Sequence, residues 1–255
     1  MFHFLIASLV LLSGFTAHNG IKLTILFNNV PYDKNLTTAW GFSCLIQHPE
    51  KTILFDTGGD GDLLLSNMRS LAVHPKDITS VVLSHIHEDH TGGLWRFLDE
   101  NNDVTIYLPE SFPVKFKEEV KRKGAKVVSI YKPIEIYRDV YSGGEMGTWI
   151  KEQFLILKTG KGLVMVTGCA HPGIVTMVRY GKEWLRDRVY LVLGGFHLMG
   201  YTDSQIKKVI KELKEMGVEK IAPSHCTGEN AIYLFKKAWR ENFIDGGCGA
   251  VMRVP

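Results

Sequence analysis

The stretch Ser84-His85-Ile86-His87-Glu88-Asp89-His90-Thr91-Gly92-Gly93 places four metal-binding side chains within six positions. It follows the apolar run 78–83, which is typical of a buried strand. Side chains two apart on an extended strand end project to the same side, so His85 and His87 can both reach one ion. Asp89 and His90 then lie on the turn into a helix that we expect to begin near Gly92, where they can point to a second ion. A single histidine at a strand end is usually structural, but four donors at this spacing indicate a metal centre.

Two later strand ends each add a histidine. His171 lies in the segment 167–173, TGCAHPG, and His225 lies in 223–228, PSHCTG. Each segment follows an apolar run and contains glycine, which is typical of a turn from a strand into a helix. Three strand ends that carry histidine into loops predict one shared site along an edge of a sheet. Imidazole nitrogen suits zinc, iron and nickel, and a carboxylate oxygen in the same site also admits manganese.

The rest of the chain alternates strand-like and helix-like segments, with no Pro/Gly/Ser-rich linker and no internal repeat after residue 21. We therefore predict a single domain over residues 21–255, preceded by an apolar segment at 1–20. Strands are predicted at 21–28, 41–47, 52–55, 78–83, 104–108, 126–130, 155–157, 163–166, 190–193, 220–222 and 250–254. Helices are predicted at 61–71, 114–123, 202–216 and 229–239. The strands form two groups, each followed by helices, and this order predicts packed sheets with helices outside.

Segment 131–149 fits neither period, and it is either a substrate loop or a plain surface excursion. Its Trp149 could stack on a planar ring such as a pterin, and we place it among the candidate substrate-binding residues. Lys158, at the start of the turn 158–162, is a second candidate because it could meet a phosphate, although turn lysines are usually solvated.

Composition excludes some classes of function. With 45% apolar residues in 255, the chain can bury a sizeable core. The 30 basic and 27 acidic residues leave a formal charge of +3 without a basic stripe, so we predict a small-molecule substrate and no nucleic-acid partner. The four cysteines lie far apart and form no C-x-x-C pair, which indicates reduced thiols in a cytoplasmic protein. The oligomeric state is not predicted.

The N-terminal segment leaves three alternatives open. Residues 4–12 are apolar or small and Ala17 lies near a plausible cleavage site, as in a signal peptide. However, no lysine or arginine precedes Lys22, and the run is shorter than the roughly 20 residues of a membrane span. An uncleaved signal, a membrane-surface anchor and an extra element packed on the domain remain, with the last slightly favoured. Export or membrane association through residues 1–20 is thus the alternative to a cytoplasmic location.

With these motifs in place, residues 21–255 resemble the metallo-β-lactamase superfamily, which carries an H-x-H-x-D-H run, a later lone histidine, usually a bridging aspartate, and a final histidine. The resemblance implies an α/β fold, a four-layer αββα sandwich. It implies one or two divalent metal ions, with zinc first and manganese or iron as alternatives. The ligands that it implies are His85, His87 and His171 for one ion, and Asp89, His90 and His225 for the other. It also implies that Asp56, in LFDTG, supports the site from behind without binding metal.

The chain departs from the family pattern at one position. The bridging aspartate usually follows a glycine at the end of an apolar strand, and the matching segment here is 193–198, LGGFHL, with Gly195 at that place. Less negative charge between two dications would weaken the second ion or change the spacing of the ions. His197 could act as a ligand, a substrate clamp or a proton donor, and a histidine bonded to its own loop is the equal alternative.

The segments GCAHPG, GGFHL and PSHCTG together resemble one branch of the superfamily, similar to 7,8-dihydropterin-6-methyl-4-(β-D-ribofuranosyl)-aminobenzene-5'-phosphate synthase. The resemblance implies a hydrolase of a small-molecule ester, phosphoester or amide, in which Asp89 also orients a metal-activated water. A transferase of the pterin-synthase kind, acting on a phosphorylated or pterin-like substrate, is the first alternative, and a non-catalytic metal-binding domain is the second. A nuclease and a flavodiiron protein are weaker alternatives. For Cys169 and Cys226, which flank predicted ligands, packing is favoured over metal binding.

Overall fold

The computed structural model describes residues 20–255, so the predictions for the N-terminal segment lie outside the described residues. The chain forms two mixed β-sheets. In spatial order, the first sheet contains β13 (Val251–Val254), β1 (Ile21–Asn28), β2 (Phe42–Gln47), β3 (Thr52–Phe55), β4 (Ser80–Val82), β5 (Thr105–Pro109) and β6 (Lys126–Ile130). The second contains β12 (Lys220–Ser224), β11 (Val189–Gly195), β10 (Gly162–Thr167), β9 (Leu155–Thr159), β8 (Val140–Ser142) and β7 (Ile134–Tyr137).

Six of the seven helices described here cover the outer faces of the two sheets, and the short α2 lies at the rim. They are α1 (Gly61–Ser70), α2 (Glu88–Thr91), α3 (Leu94–Glu100), α4 (Val114–Arg122), α5 (Ile174–Leu185), α6 (Asp203–Glu215) and α7 (Glu229–Trp239). Apolar side chains of α1, α3 and α4 pack on the first sheet, and those of α5, α6 and α7 pack on the second. A third cluster fills the space between the sheets. The predicted four-layer αββα sandwich is confirmed.

Period-two alternation explains how each strand serves two layers. In β9, Leu155 and Leu157 lie in the cluster between the sheets, whereas Ile156 lies in the cluster under the helices. All three side chains are fully buried, which accounts for the continuous apolar run in the sequence. Helix α6 begins with a capping box, in which Thr202 and Gln205 satisfy each other's backbone N–H groups.

The topology brings several strand ends to one edge. Strand β3 runs parallel to β4 in the first sheet, and β10, β11 and β12 are parallel in the second. Buried amides link the two sheets at this edge: Gln153 donates to the Leu83 carbonyl at 2.8 Å, and Asn28 donates to the Ser224 hydroxyl at 3.0 Å. The loops that follow these strands therefore lie on one rim of the sandwich.

One local prediction was wrong. Segment 131–149 is not one loop, because Ile134–Tyr137 and Val140–Ser142 form a hairpin at the edge of the second sheet. The helix expected near Gly92 is α3, which begins at Leu94, and Asp89 and His90 precede it in the one-turn helix α2, whose N-cap is His87. Among the described helices, none is long and apolar enough to cross a membrane.

Candidate metal centre

All six predicted ligands lie at the shared rim. The first four follow β4, which ends at Val82, while His171 follows β10 and His225 follows β12. The centroid of the His85 imidazole ring lies 4.2 Å from that of the His90 ring and 4.8 Å from that of the His171 ring. Loops that are far apart in sequence thus form one cluster of donor atoms.

One half of the cluster contains three histidines. Nε2 of His85 and Nδ1 of His87 are 3.1 Å apart, close to the roughly 3.3 Å that separates two nitrogens bound to one tetrahedral zinc ion. The ring of His171 lies 4.9 Å from that of His87. Burial lowers the pKa of His171 to about 4 and that of His85 well below its usual value. Both imidazoles are therefore neutral at pH 7, the form that binds a metal.

The other half combines a carboxylate with two histidines. Oδ2 of Asp89 lies 3.2 Å from Nε2 of His225 and 3.6 Å from Nε2 of His90. Burial acts to raise the pKa of Asp89, but the imidazoles of His225 and His90 and a backbone N–H together outweigh burial, and the pKa falls to about 2. The carboxylate is ionised at neutral pH and available as an oxygen ligand.

The Asp56 carboxylate lies behind the cluster and contacts one of the predicted ligands. Its Oδ2 accepts hydrogen bonds from Nδ1 of His90 at 2.7 Å and from the Ser84 hydroxyl at 2.7 Å, and its Oδ1 accepts from the Ser84 amide at 2.6 Å. Burial opposes the positive charge of His90, but the Asp56 carboxylate prevails and raises the pKa of His90 to about 8. The Asp56 carboxylate keeps the proton on Nδ1, so Nε2 faces the cluster and gives up its own proton when a metal binds.

The same orientation is imposed on two further histidines. The Ser84 hydroxyl donates its only proton to Asp56. Its oxygen therefore accepts a hydrogen bond from Nδ1 of His85 at 2.9 Å. Nδ1 of His225 donates to the amide oxygen of Asn29 at 2.7 Å. In each case Nε2 is the free nitrogen and points into the site. Asn29 was missed by the sequence analysis.

Glu152 is a second residue that the sequence analysis missed. Its fully buried carboxylate accepts hydrogen bonds from the amides of Cys169 and Ala170, both at 2.9 Å, and of His171 at 2.8 Å. Burial raises the pKa of Glu152 to about 7 against the lowering effect of those N–H donors. The side chain fixes the loop that carries His171 into the cluster.

Backbone strain marks the loops of the site. Asp56, Ala170, His197 and His225 all adopt φ between 51° and 58°, although none is glycine. Such conformations cost energy and persist where the surrounding structure imposes them, often at functional sites. Here they aim side chains at the rim.

Cys169 and Cys226 lie closer to the cluster than the packing prediction implied. Sγ of Cys169 is 3.2 Å from Nε2 of His90, and Cys226 forms a donor group with Cys169 and His197. The ring of His197 lies 4.3 Å from that of His171. His197 therefore faces the site and does not serve its own loop alone.

Of the two predicted substrate-binding residues, Trp149 lies at the rim of the site and Lys158 does not. Trp149 is 96% exposed and lies beside His171 at the rim of the site. Lys158 lies at the opposite end of β9, where it pairs with Leu163, because the β9–β10 turn points away from the rim. Trp40, which the sequence analysis did not single out, lies with its ring 4.8 Å from that of His225.

The residues present fit divalent metal ions. Nε2 of His171 is buried and lacks a hydrogen-bond partner among residues 20–255, and buried Nε2 of His225 has only the Asp89 carboxylate beside it, at 3.2 Å and without hydrogen-bond geometry. Because buried polar atoms are almost always paired, the unpaired nitrogen of His171 in a cluster of donor atoms indicates a missing ligand. Imidazole, carboxylate and thiol donors together suit zinc, with iron or manganese as alternatives.

Sequence comparisons place the chain among known proteins. A model of the metallo-β-lactamase superfamily matches residues 41–183. The 7,8-dihydropterin-6-methyl-4-(β-D-ribofuranosyl)-aminobenzene-5'-phosphate synthase of Methanocaldococcus jannaschii is 33% identical, over 92% of this chain and 97% of that protein. A second, uncharacterised protein of the same organism is 32% identical, over 91% of this chain and all of that protein.

Structural comparisons agree. The crystal structure of a metal-dependent hydrolase of the β-lactamase superfamily is similar with a TM-score of 0.76 and 29% identity, over 91% of this chain and 98% of that one. The metallo-β-lactamase fold protein YhfI from Bacillus subtilis shares the fold with a TM-score of 0.67 at 15% identity, over 92% of this chain and 99% of that one. The chain belongs to the metallo-β-lactamase superfamily.

Proposed function

We propose that the protein is a metal-dependent hydrolase that cleaves an ester, phosphoester or amide bond in a small molecule. The observation that carries the proposal is the gathering of six donor side chains at one rim, with a buried unpaired nitrogen on His171. A relative of 29% identity is itself named a metal-dependent hydrolase. The members of this superfamily are enzymes that typically bind divalent metals, which supports the same conclusion.

Two groups of residues would hold the ions. The first ion would be held by His85, His87 and His171, and the second by Asp89, His90 and His225. Zinc fits this donor set best, with manganese or iron as alternatives. Bound cations of this kind supply Lewis acidity and lower the pKa of water to about 7.

The chain's own residues would then orient the reaction. The Asp89 side chain is 19% exposed, so one carboxylate oxygen can accept a hydrogen bond from the attacking water while the other serves as ligand. His197 is exposed beside His171 and is placed to donate a proton to the leaving group or to clamp the substrate. Its role is proposed on position alone.

A groove beside the cluster offers a place for a phosphorylated substrate. This groove has a volume of about 380 Å³ and runs from His171 and His197 between α5 and α6. Arg179 and Lys208 line it, and Arg179 pairs with Glu212 at 3.4 Å. Guanidinium and ammonium groups beside a metal cluster suit a phosphate group.

Transfer of a group to an amine or carbon, in place of water, is the second candidate reaction. The relative of 33% identity is named a synthase of a phosphorylated pterin compound, and Trp40 and Trp149 present aromatic rings next to the cluster. Aromatic faces of this kind stack on planar rings such as a pterin. Both tryptophan side chains are about half exposed or more, so they do not form an enclosed aromatic pocket, and this argues against transfer.

Metal removal tests the proposal. We expect purified protein to contain up to two zinc, iron or manganese ions and to hydrolyse p-nitrophenyl phosphate, its bis ester or a lactone. Dialysis against a chelator should abolish turnover, and added metal should restore it. Oxygen-18 from labelled water should enter the product of hydrolysis and be absent from the product of transfer with a pterin-type phosphate. Protein without bound metal would refute the proposal, and metal without any turnover would favour a non-catalytic domain.

A pair of adjacent lysines tests the groove. Lys208 lines the groove, whereas Lys207 points away and lies 4.0 Å from Asp203. Lys208→Gln is expected to raise the KM for p-nitrophenyl phosphate about tenfold, since a charged hydrogen bond contributes about 1.5 kcal/mol or more. Lys207→Gln should leave KM unchanged. Equal KM values for the two variants would remove the groove from the proposal.

A further inference from the structure

One sulfur atom belongs to both halves of the cluster. Sγ of Cys169 lies within 4.8 Å of the donor atoms of Asp89, His90 and His225, and also within 4.8 Å of those of His85 and His171. The cysteine is 3% exposed. A ligand that reaches both groups occupies the position of a bridge between two ions.

The position that normally supplies the bridge is closed in this chain. A side chain at Gly195 would start with a Cβ against the carbonyl oxygen of Gly168, 2.7 Å from Sγ of Cys226 and 3.2 Å from Cα of Cys169. The Gly195 amide donates to that same carbonyl at 3.1 Å, so the two strands are drawn together here. An aspartate at 195 therefore has no room, and the loop of Cys169 fills the space.

We propose that the thiolate of Cys169 bridges the two metal ions in place of the missing aspartate. This inference rests on the proposed two-ion centre. A bridging sulfur adds a fourth donor to the group of His85, His87 and His171, and a fourth to the group of Asp89, His90 and His225. Each ion would then have four protein donors, and water or substrate would enter as a fifth ligand, an expansion that catalytic zinc sites allow.

The charge and the geometry support this role. One anionic sulfur between two dications restores the negative charge that Gly195 lacks. Binding releases the thiol proton to solvent, as metal binding to cysteine requires. Glu152 fixes the backbone on both sides of the sulfur through the amides of Cys169 and Ala170. Sγ of Cys169 also lies 3.2 Å from Nε2 of His90, a predicted ligand of the second ion.

The other cysteines of the chain do not occupy a bridging position. Cys44 and Cys248 are fully buried, and neither lies in a donor group among the described residues. Sγ of Cys248 instead contacts the Leu26 carbonyl at 3.6 Å, as a packed thiol does. Cys226 lies with Cys169 and His197 but belongs to neither of the two groups of donor atoms that contain Asp89 and His85, so it serves as the matched control.

Cobalt substitution tests the sulfur. Wild-type protein loaded with Co²⁺ is expected to show a sulfur-to-cobalt charge-transfer band in the near ultraviolet as well as ligand-field bands from the histidines. Cys169→Ser should lose the charge-transfer band and bind the second ion at least tenfold more weakly. Cys226→Ser should keep both. A charge-transfer band lost only in Cys226→Ser would overturn the assignment to Cys169.

X-ray absorption of the zinc form tests the bridge without relying on a variant that has to fold. A thiolate shared by two ions gives about one sulfur per zinc, whereas a terminal thiolate on one ion gives about one half, in each case at about 2.3 Å. About one sulfur per zinc is expected in wild type and in Cys226→Ser. A value near one half, or zinc without sulfur, would overturn the bridge and leave the proposed metal centre intact. Protein that binds neither metal would overturn both.

Discussion

Replacing Asp89 with alanine is expected to lower kcat by roughly 10²- to 10⁴-fold, the range for loss of a positioned acid–base group. The side chain is proposed to act twice, as a ligand of the second ion and as the group that orients water. Its Oδ2 lies 3.2 Å from Nε2 of His225 and 3.6 Å from Nε2 of His90, so its loss removes the charged member of that group. The metal content of folded protein should fall from two ions to one.

Glu88 provides a matched control for this change. It is the preceding carboxylate on the same helix, but its side chain is exposed and belongs to no donor group among residues 20–255. Glu88→Ala should retain both ions and full kcat, measured by elemental analysis and by hydrolysis of bis-p-nitrophenyl phosphate. If Asp89→Ala kept both ions and wild-type kcat, the assignment of the second site would be wrong.

The sequence was informative where chemistry is concentrated in a few positions. His85, His87, Asp89 and His90 are recognisable because their spacing is rare without a metal. The limits of β3, of β6 and of helix α7 agree with their predictions. Features that depend on residues close together in the sequence, such as this motif and the limits of strands and helices, can therefore be predicted from the sequence.

The missed residues act across long separations. Glu152 supports the loop at 169–171 from 17 to 19 positions away, and Asn29 supports His225 from 196 positions away. The sequence around Glu152 and around Asn29 does not indicate these hydrogen-bond partners, because the contacts form only when distant strands pack side by side. The same limit explains Cys169, for which only the fold shows that Sγ faces both groups of donors.

Two errors have local physical causes. The hairpin at 134–142 lies at a sheet edge, where Ile134 and Glu135 are both exposed, so its alternation is weak. The second error is the placement of Lys158 at the site. The turn between β9 and β10 was predicted correctly, but the sequence does not tell which end of the sheet carries the site, and this turn lies at the other end.

Replacing Asp56 with alanine is expected to give the largest loss of stability in the site. The carboxylate is fully buried and accepts from the Ser84 amide, the Ser84 hydroxyl and Nδ1 of His90. Alanine leaves these buried donors unpaired, and removal of one partner of a buried charge pair typically costs about 3–5 kcal/mol. Urea unfolding of the metal-free variant measures this loss in the free energy of unfolding.

Asp56→Asn separates support of the metal from stability. An amide keeps the size of the side chain but puts a donor where one oxygen accepted, so His90 can no longer keep its proton on Nδ1 and present Nε2. Zinc affinity, measured by calorimetric titration, should fall about 10- to 100-fold, the usual effect of removing such a supporting partner. The control is Asn67→Ala, which removes a buried amide bonded to the Leu26 carbonyl at 2.9 Å, away from the cluster. Asn67→Ala should reduce stability while zinc affinity stays at the wild-type value, because its carbonyl partner orients no ligand. Unchanged zinc affinity in Asp56→Asn would show instead that His90 holds its orientation by packing alone, so that the Asp56 carboxylate serves the fold and not the metal.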